Sequence, residues 1–211
     1  QGGVDNTTNE SFGATLTADV NSTVVTPLTT VINALVQEGV LKAEAQSALS
    51  LSFGFSSQVD LTHYDPIKAA GEGDDNAKQI LKSGSMTINL IKQAEAFSSI
   101  ASSNLEPGTV GLVVAKQLGY AAMVSDSNLS TSLLDENFVR VVVESALTEA
   151  DASTTYDSED LQQVASIASI SNAAFAQVNL PNLLPGEAAV SLAKIQVAVD
   201  TEILGEYDKI R

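Results

Sequence analysis

"ATLTADVNSTVVTPLTTVINALVQEG", residues 14–39, changes its period halfway along. Up to Val25 the apolar side chains of Ala14, Leu16, Ala18 and Val20 alternate with Thr15, Thr17 and Asp19, the two-residue period of a strand. After Thr26 the period becomes helical. Thr26 and Pro27 supply an N-cap and a first-turn proline, and Leu28, Val31, Ile32, Leu35 and Val36 then fall on one face. Gly39 ends that helix. The switch predicts a short β lead-in over 14–25, as a strand or a hairpin turning at Asp19 to Ser22, followed by helices only.

The helical period persists to the end of the chain. A second helix is expected over 43–49, then an apolar loop "LSFGFSSQ" (51–58) and a helix starting at Pro66. A long one over about 75–102 buries Ala77, Ile80, Leu81, Ile88, Ile91 and Phe97, with Gly84 on the stripe as a point of close approach. Further helices restart at Pro107, behind Asp135 and Glu136, and behind Asp157 to Asp160, acids that suit the positive end of a helix. The expected inward faces are Val139, Val142, Val143, Ala146 and Leu147, then Leu161, Val164, Ala165, Ala168 and Phe175. The turn "NLPNLLPGEAAV" (179–190) leads into a last helix over about 186–205, whose wide apolar arc through Leu192, Ile195, Val199 and Ile203 suits a central position. The reading is an all-α, irregular bundle of about six or seven helices: a polar tail over 1–13, the β lead-in over 14–25, and one helical domain over 26–211.

Composition narrows the partners. At 211 residues one domain can bury a full core, and with no cysteine there is neither a disulfide nor a thiolate metal site. The 26 acids against 10 bases leave a net charge of −16, a surface that repels phosphate and disfavours nucleic acid and anionic membranes. No membrane insertion is expected either, since the best apolar stretch, "VGLVVAKQLGYAAMV" (110–124), is short and broken by Lys116 and Gln117. An export signal, if the chain carries one, is expected upstream or already removed.

"VDLTHYDPIKAAGEGDDN", residues 59–76, holds the sole histidine and most closely resembles a reactive site. His63 as a base between Asp60 and Asp65, with Ser56 or Ser57 as nucleophile, would make a hydrolase, but no nucleophile elbow accompanies it. A zinc site fails on its single imidazole. The simpler reading is two helix starts: Asp65 before Pro66, and Asp74 with Asp75 after Gly71 and Gly73. "GEGDDN" lacks the Gly-Lys-Ser/Thr ending of a phosphate loop, and its acids repel phosphate. Calcium suits an acidic chain, yet an EF-type loop from Asp126 meets Asn128 and Ser130 correctly, then Thr131 in place of glycine and Asn137 in place of glutamate. One from Asp151 meets Tyr156 and Gln162 at those positions. No catalytic, cofactor or metal residues are therefore assigned, and calcium is left without ligands. The sequons at Asn6, Asn9, Asn21 and Asn128 are what a Ser/Thr-rich chain carries by composition.

"STVVTPLTTVINALVQEGV", "VDLTHYDPIKAAGEGDDNAKQIL" and the late "SLAKIQVAVDTE" together resemble a helical module of very large exported bacterial surface proteins, where it neighbours cadherin-like, calcium-binding-repeat and adhesin-type segments. The pattern is the Thr-Pro-Leu-Thr-Thr helix start and the Asp-Leu-x-x-Tyr-Asp-Pro turn, here Asp60, Leu61, Tyr64, Asp65 and Pro66. The likeness covers about 15–105 and, loosely, the last helix; residues 106–160 are not placed by it. It implies an extracellular, cell-surface location, a non-enzymatic structural or adhesive role, and partners that are neighbouring domains or further copies forming a filament or layer. From the residues alone, the alternative is a carrier of an apolar small molecule in a cleft among the Ala- and Ser-rich helix faces near 165–176.

Overall fold

The computed structural model describes residues 13–101, 105–124, 128–150, 156–180, 183–184 and 186–210. Among these, nine helices follow in order: α1 Pro27–Gln37, α2 Lys42–Phe53, α3 Pro66–Gly71, α4 Asp75–Ala101, α5 Thr109–Val124, α6 Leu129–Ser132, α7 Glu136–Glu149, α8 Ser158–Ala176 and α9 Glu187–Ile210. The fold is all-α. The short α3 starts at Pro66 behind its cap Asp65, as expected, and the short α6, behind its cap Asn128, is a helix that the sequence reading did not single out.

Local chemistry starts most of these elements. Thr26 and Thr29 cap one another's backbone N–H in a capping box ahead of α1, and Asp157 and Asp160 do the same ahead of α8. Asp135 accepts from the Phe138 N–H at the start of α7. The faces read from periodicity are buried as expected on α7 and α8, and on α1 for Leu28, Val31, Ile32 and Leu35, with Val36 partly buried.

The β lead-in needs correction. No strand forms among the described residues: 14–25 run as an extended segment against α1, and the expected turn is present, with Ser22 N–H donating to Asp19 C=O at 2.8 Å, but no ladder follows it. Side chains take the place of a partner strand. Thr17 N–H donates to Thr30 Oγ1 at 3.0 Å, Thr30 Oγ1 donates back to Thr17 C=O at 3.1 Å, and Asn33 Nδ2 donates to Thr17 Oγ1 at 3.0 Å. With its polar groups met this way, Thr17 does not require a sheet. Residues 1–12 of the predicted tail lie outside the described residues.

The centre of the bundle is α4, not α9. α4 packs on α1, α3, α5, α7, α8 and α9, whereas α9 meets α3, α4 and α8. From Met86 to Leu90 and again from Gln93 to Glu95 every residue of α4 is buried, polar ones included. Those polar residues broke the apolar pattern that a central helix is expected to show. Thr87 Oγ1 is buried without a hydrogen-bond partner among the described residues, and the others are paired inside the core: Asn89 Nδ2 donates to Asn172 Oδ1 on α8 at 2.9 Å, and Asn172 Nδ2 donates to Leu133 C=O, after α6, at 3.0 Å.

Small residues set the closest helix approaches, at positions other than the expected Gly84. A Cβ at Gly84 would meet the Pro27 ring at 3.9 Å, an ordinary contact. On α5, a Cβ at Gly119 would lie 2.6 Å from Leu35 Cγ of α1, and one at Gly111 would lie 2.8 Å from Ile91 Cγ2 of α4. These two glycines therefore fix how near α5 lies to its neighbours. Gly111 also gives room to Glu95, whose carboxylate leaves α4 to accept the N–H groups of Gly108 and Gly111 at the start of α5.

Candidate ligand pocket and the His63 turn

The His63 cluster forms, but as a turn. Asp60 Oδ1 accepts the Thr62 N–H at 3.0 Å and the Thr62 hydroxyl at 2.7 Å, while Asp60 Oδ2 lies 2.9 Å from His63 Nδ1. Thr62 Oγ1 lies 3.0 Å from that same nitrogen. A relay needs the hydroxyl and the carboxylate on opposite ring nitrogens, and here both meet Nδ1. The Thr62 hydroxyl, more than any other group, holds the Asp60 carboxyl below the usual carboxylate range. Ser56 instead accepts the Gln58 N–H at 3.3 Å, a local turn contact.

Asp65 and Asp74 cap helices, as their spacing predicts, whereas Asp75, expected to cap α4 with Asp74, instead pairs with Lys78 Nζ at 2.9 Å. Asp65 Oδ1 accepts from Ile67 and Lys68 N–H at 3.0 Å each, a cap that stabilises α3 by about 1 kcal/mol. Asp74 Oδ1 accepts from Asn76 N–H at 2.8 Å ahead of α4, and its Oδ2 accepts the Tyr64 hydroxyl at 2.6 Å. The Tyr64 bond lowers the Asp74 pKa, and burial first, then Asp74, raises that of Tyr64. A depressed carboxylate contributes stability above its unfolded value, near ~3.9, and loses it as pH falls through the folded value below that. Tyr64→Phe is accordingly expected to lower Tm by roughly 2 °C at neutral pH, with the gap closing as pH falls through the depressed range of Asp74. Thermal melts of both proteins across that range check it; a gap that is unchanged in acid would show that the tyrosine acts by packing alone.

Among the described residues no group of three or more His, Asp and Glu side chains is placed to hold a metal ion. Of the loops weighed for calcium, the first residues, Asp126 and Asp151, lie outside the described residues, as do Asn6 and Asn9. Asn128 is described, and its side chain caps α6 by accepting from Thr131 N–H at 3.3 Å.

A concavity with mainly apolar walls lies elsewhere, between α4 and α9. Its volume is about 430 Å³, inside the range of about 300–1,000 Å³ usual for small-molecule sites. Ile80, Leu81, Gly84, Ser85 and Ile88 of α4 form the floor, and Ala189, Leu192, Ala193 and Val197 of α9 form one wall. Leu16, Val24, Val25 and the start of α1 form the other, with Pro66 and Ile67 of α3 at the rim. Val25 and Ile67 leave more than half their surface in water, at 60% and 59% exposure. On the helix face at 165–176 that was weighed for a cleft, Ala165, Ala168 and Asn172 are wholly buried in the core.

One end of this pocket is polar. Lys92 Nζ of α4 pairs with Asp200 Oδ2 of α9 at 2.7 Å, and Gln196 Nε2 donates to Asp200 Oδ1 at 2.7 Å. Gln196 and Asp200 are one turn apart, as are Ala189 and Ala193, so both pairs share a face that sequence alone displays. Only the packing of α9 on α4 turns that face into a wall. Sequence reading missed these residues for that reason.

Comparison with known proteins finds no matching family, no matching curated protein and no matching solved structure. Among the described residues no helix is long and apolar enough to cross a membrane.

Proposed function

We propose that this chain is a non-catalytic binding protein that holds an apolar small molecule in the pocket between α4 and α9. The observation that carries the reading is the pocket itself: a concave, mainly aliphatic surface with its polar groups gathered at one end, the usual form of a small-molecule site. Small side chains at Gly84, Ala189 and Ala193 keep it open. An uncharged fluorophore, N-phenyl-1-naphthylamine, is expected to bind with a rise in emission at micromolar protein. Ala193→Phe, which places a ring in the groove from a partly exposed position, is expected to weaken that binding at least about tenfold while leaving the melting curve within about 2 °C of the parent. Equal binding by parent and variant would end the reading.

A second reading is a subunit or module of an extracellular surface assembly, and it draws on the resemblance of the Thr-Pro-Leu-Thr-Thr and Asp-Leu-x-x-Tyr-Asp-Pro stretches to exported surface proteins. The feature that favours it is the extended segment 14–25, which has no ladder partner among the described residues and leaves Val20 at 93% exposure. Strand addition from another copy is the contact such a segment offers. Because the chain carries a net charge of −16, association of copies should strengthen with ionic strength. Light scattering across salt, calcium and protein concentration tests it, and a monomer under every condition rejects it.

A further inference from the structure

We propose that the pocket holds a single unbranched alkyl chain laid along α4, and that the Lys92–Asp200 pair closes its far end and so limits the length of the chain. This rests on the small-molecule reading above and names the ligand class together with the residues that select within it. Lys78 Nζ donates to Leu183 C=O at 3.5 Å just ahead of α9, and Lys92 meets Asp200 further along both helices, so α4 and α9 run side by side in the same direction. The lining residues of α4 extend from Ile80 to Lys92, about 18 Å at the helical rise, and those of α9 from Ala189 to Asp200. A volume of about 430 Å³ spread over that length has room for one extended chain and not for two abreast.

The two ends of the groove differ. Its mouth lies by α3: the Tyr64 hydroxyl donates to Asp74, which brings the residue before Asp65 to the start of α4, and the lining residues Val25 and Ile67 are each more than half exposed. At the other end the last lining residue of each helix, Lys92 and Asp200, join across the groove at 2.7 Å, and Gln196 Nε2 donates to the second oxygen of Asp200. The Lys92 side chain is only 14% exposed. A tail growing past this point has to part a shielded ion pair, a cost that burial of one further methylene does not offset. The aliphatic walls take the chain, and the pair stops it.

The test is displacement of N-phenyl-1-naphthylamine from the full chain, at neutral pH, by alkyl dimethylamine N-oxides with octyl, decyl, dodecyl, tetradecyl and hexadecyl tails, each below its micelle-forming concentration. Their head is the same and net neutral throughout, and an extended dodecyl chain is about as long as the floor of the groove. Competition is expected to improve at least about threefold with each added pair of carbons up to dodecyl, and by less than about twofold in total beyond it. The double variant Lys92→Ala, Asp200→Ala is expected to carry the improvement on to hexadecyl. Val197→Phe, which sets a ring one turn short of Asp200 on the same wall, is expected to move the break back to decyl or below. Competition that keeps improving to hexadecyl on the parent, or that is already level from octyl, overturns the proposal. So does a break that stays at dodecyl in the double variant, or, where that variant does not fold, in Val197→Phe. If the fluorophore itself fails to bind the parent, the pocket reading falls and this inference with it. A bound fluorophore with no break in the series overturns this inference alone.

Discussion

Glu95→Ala is expected to lower the free energy of unfolding by about 3–5 kcal/mol, because it removes two charge-assisted hydrogen bonds at about 1.5–3 kcal/mol each. Glu95 is 9% exposed and sits on the central helix α4. Its two carboxylate oxygens accept the N–H groups of Gly108, at 2.9 Å, and of Gly111. Those are the cap and third-turn-position amides of α5, groups that a helix cannot satisfy for itself. Asp135 and Asp157 supply an acceptor from the helix's own sequence for α7 and α8; here it comes from a neighbouring helix, so the same contact both starts α5 and fixes it to α4. Gly108 holds φ at +90°, a backbone that other residues rarely adopt, which presents its N–H to Glu95.

Glu95→Gln keeps one acceptor oxygen but turns an amide NH2 toward the second N–H, so about half the loss is expected to remain. Urea denaturation gives the stability change, and amide exchange should show Gly108 and Gly111 losing protection ahead of the rest of α5. A Glu95→Ala protein within about 1 kcal/mol of the parent would mean that water replaces the carboxylate at no cost.

Asn172→Leu is expected to cost about 2–4 kcal/mol despite the apolar surroundings into which the leucine is placed. Asn172 and Asn89 are both wholly buried, and the change strips Asn89 Nδ2 of its 2.9 Å partner and Leu133 C=O of its 3.0 Å donor. Leu133 ends α6, so an orphaned carbonyl there loosens the junction into α7. The double variant Asn89→Leu, Asn172→Leu separates polarity from packing. With both amides gone, the pair should cost less than the sum of the single changes by at least about 1 kcal/mol. Strict additivity would indicate that the two side chains do not act together.

Elements whose cause is local were legible in the sequence. Thr26, Asp65, Asp74, Asp135 and Asp157 each act on amides two or three residues ahead, a range over which residue type and spacing decide the outcome. The inward faces of α7 and α8 follow from period alone, because each buries one stripe and leaves the rest wet. The reading of 59–76 as helix starts needed nothing more.

What the tertiary structure decided depends on groups distant in the chain. Alternation in 14–25 specified an extended backbone but not its partner, and hydroxyls of α1 proved able to serve where a strand was expected. The central role of α4 was hidden because a helix whose middle turns are buried on every side loses its apolar period there once Asn89, Gln93 and Glu95 are paired inside. Glu95 reaches 13 and 16 residues along the chain, and Asn89 reaches 83. The pocket collects side chains from Leu16 to Asp200, and no one segment displays its shape. Sequence determines which groups must be satisfied and which faces must leave water; only the packing of α4 against its neighbours chooses the partners, because hydrogen bonds and close contacts are made by distance in space and not along the chain.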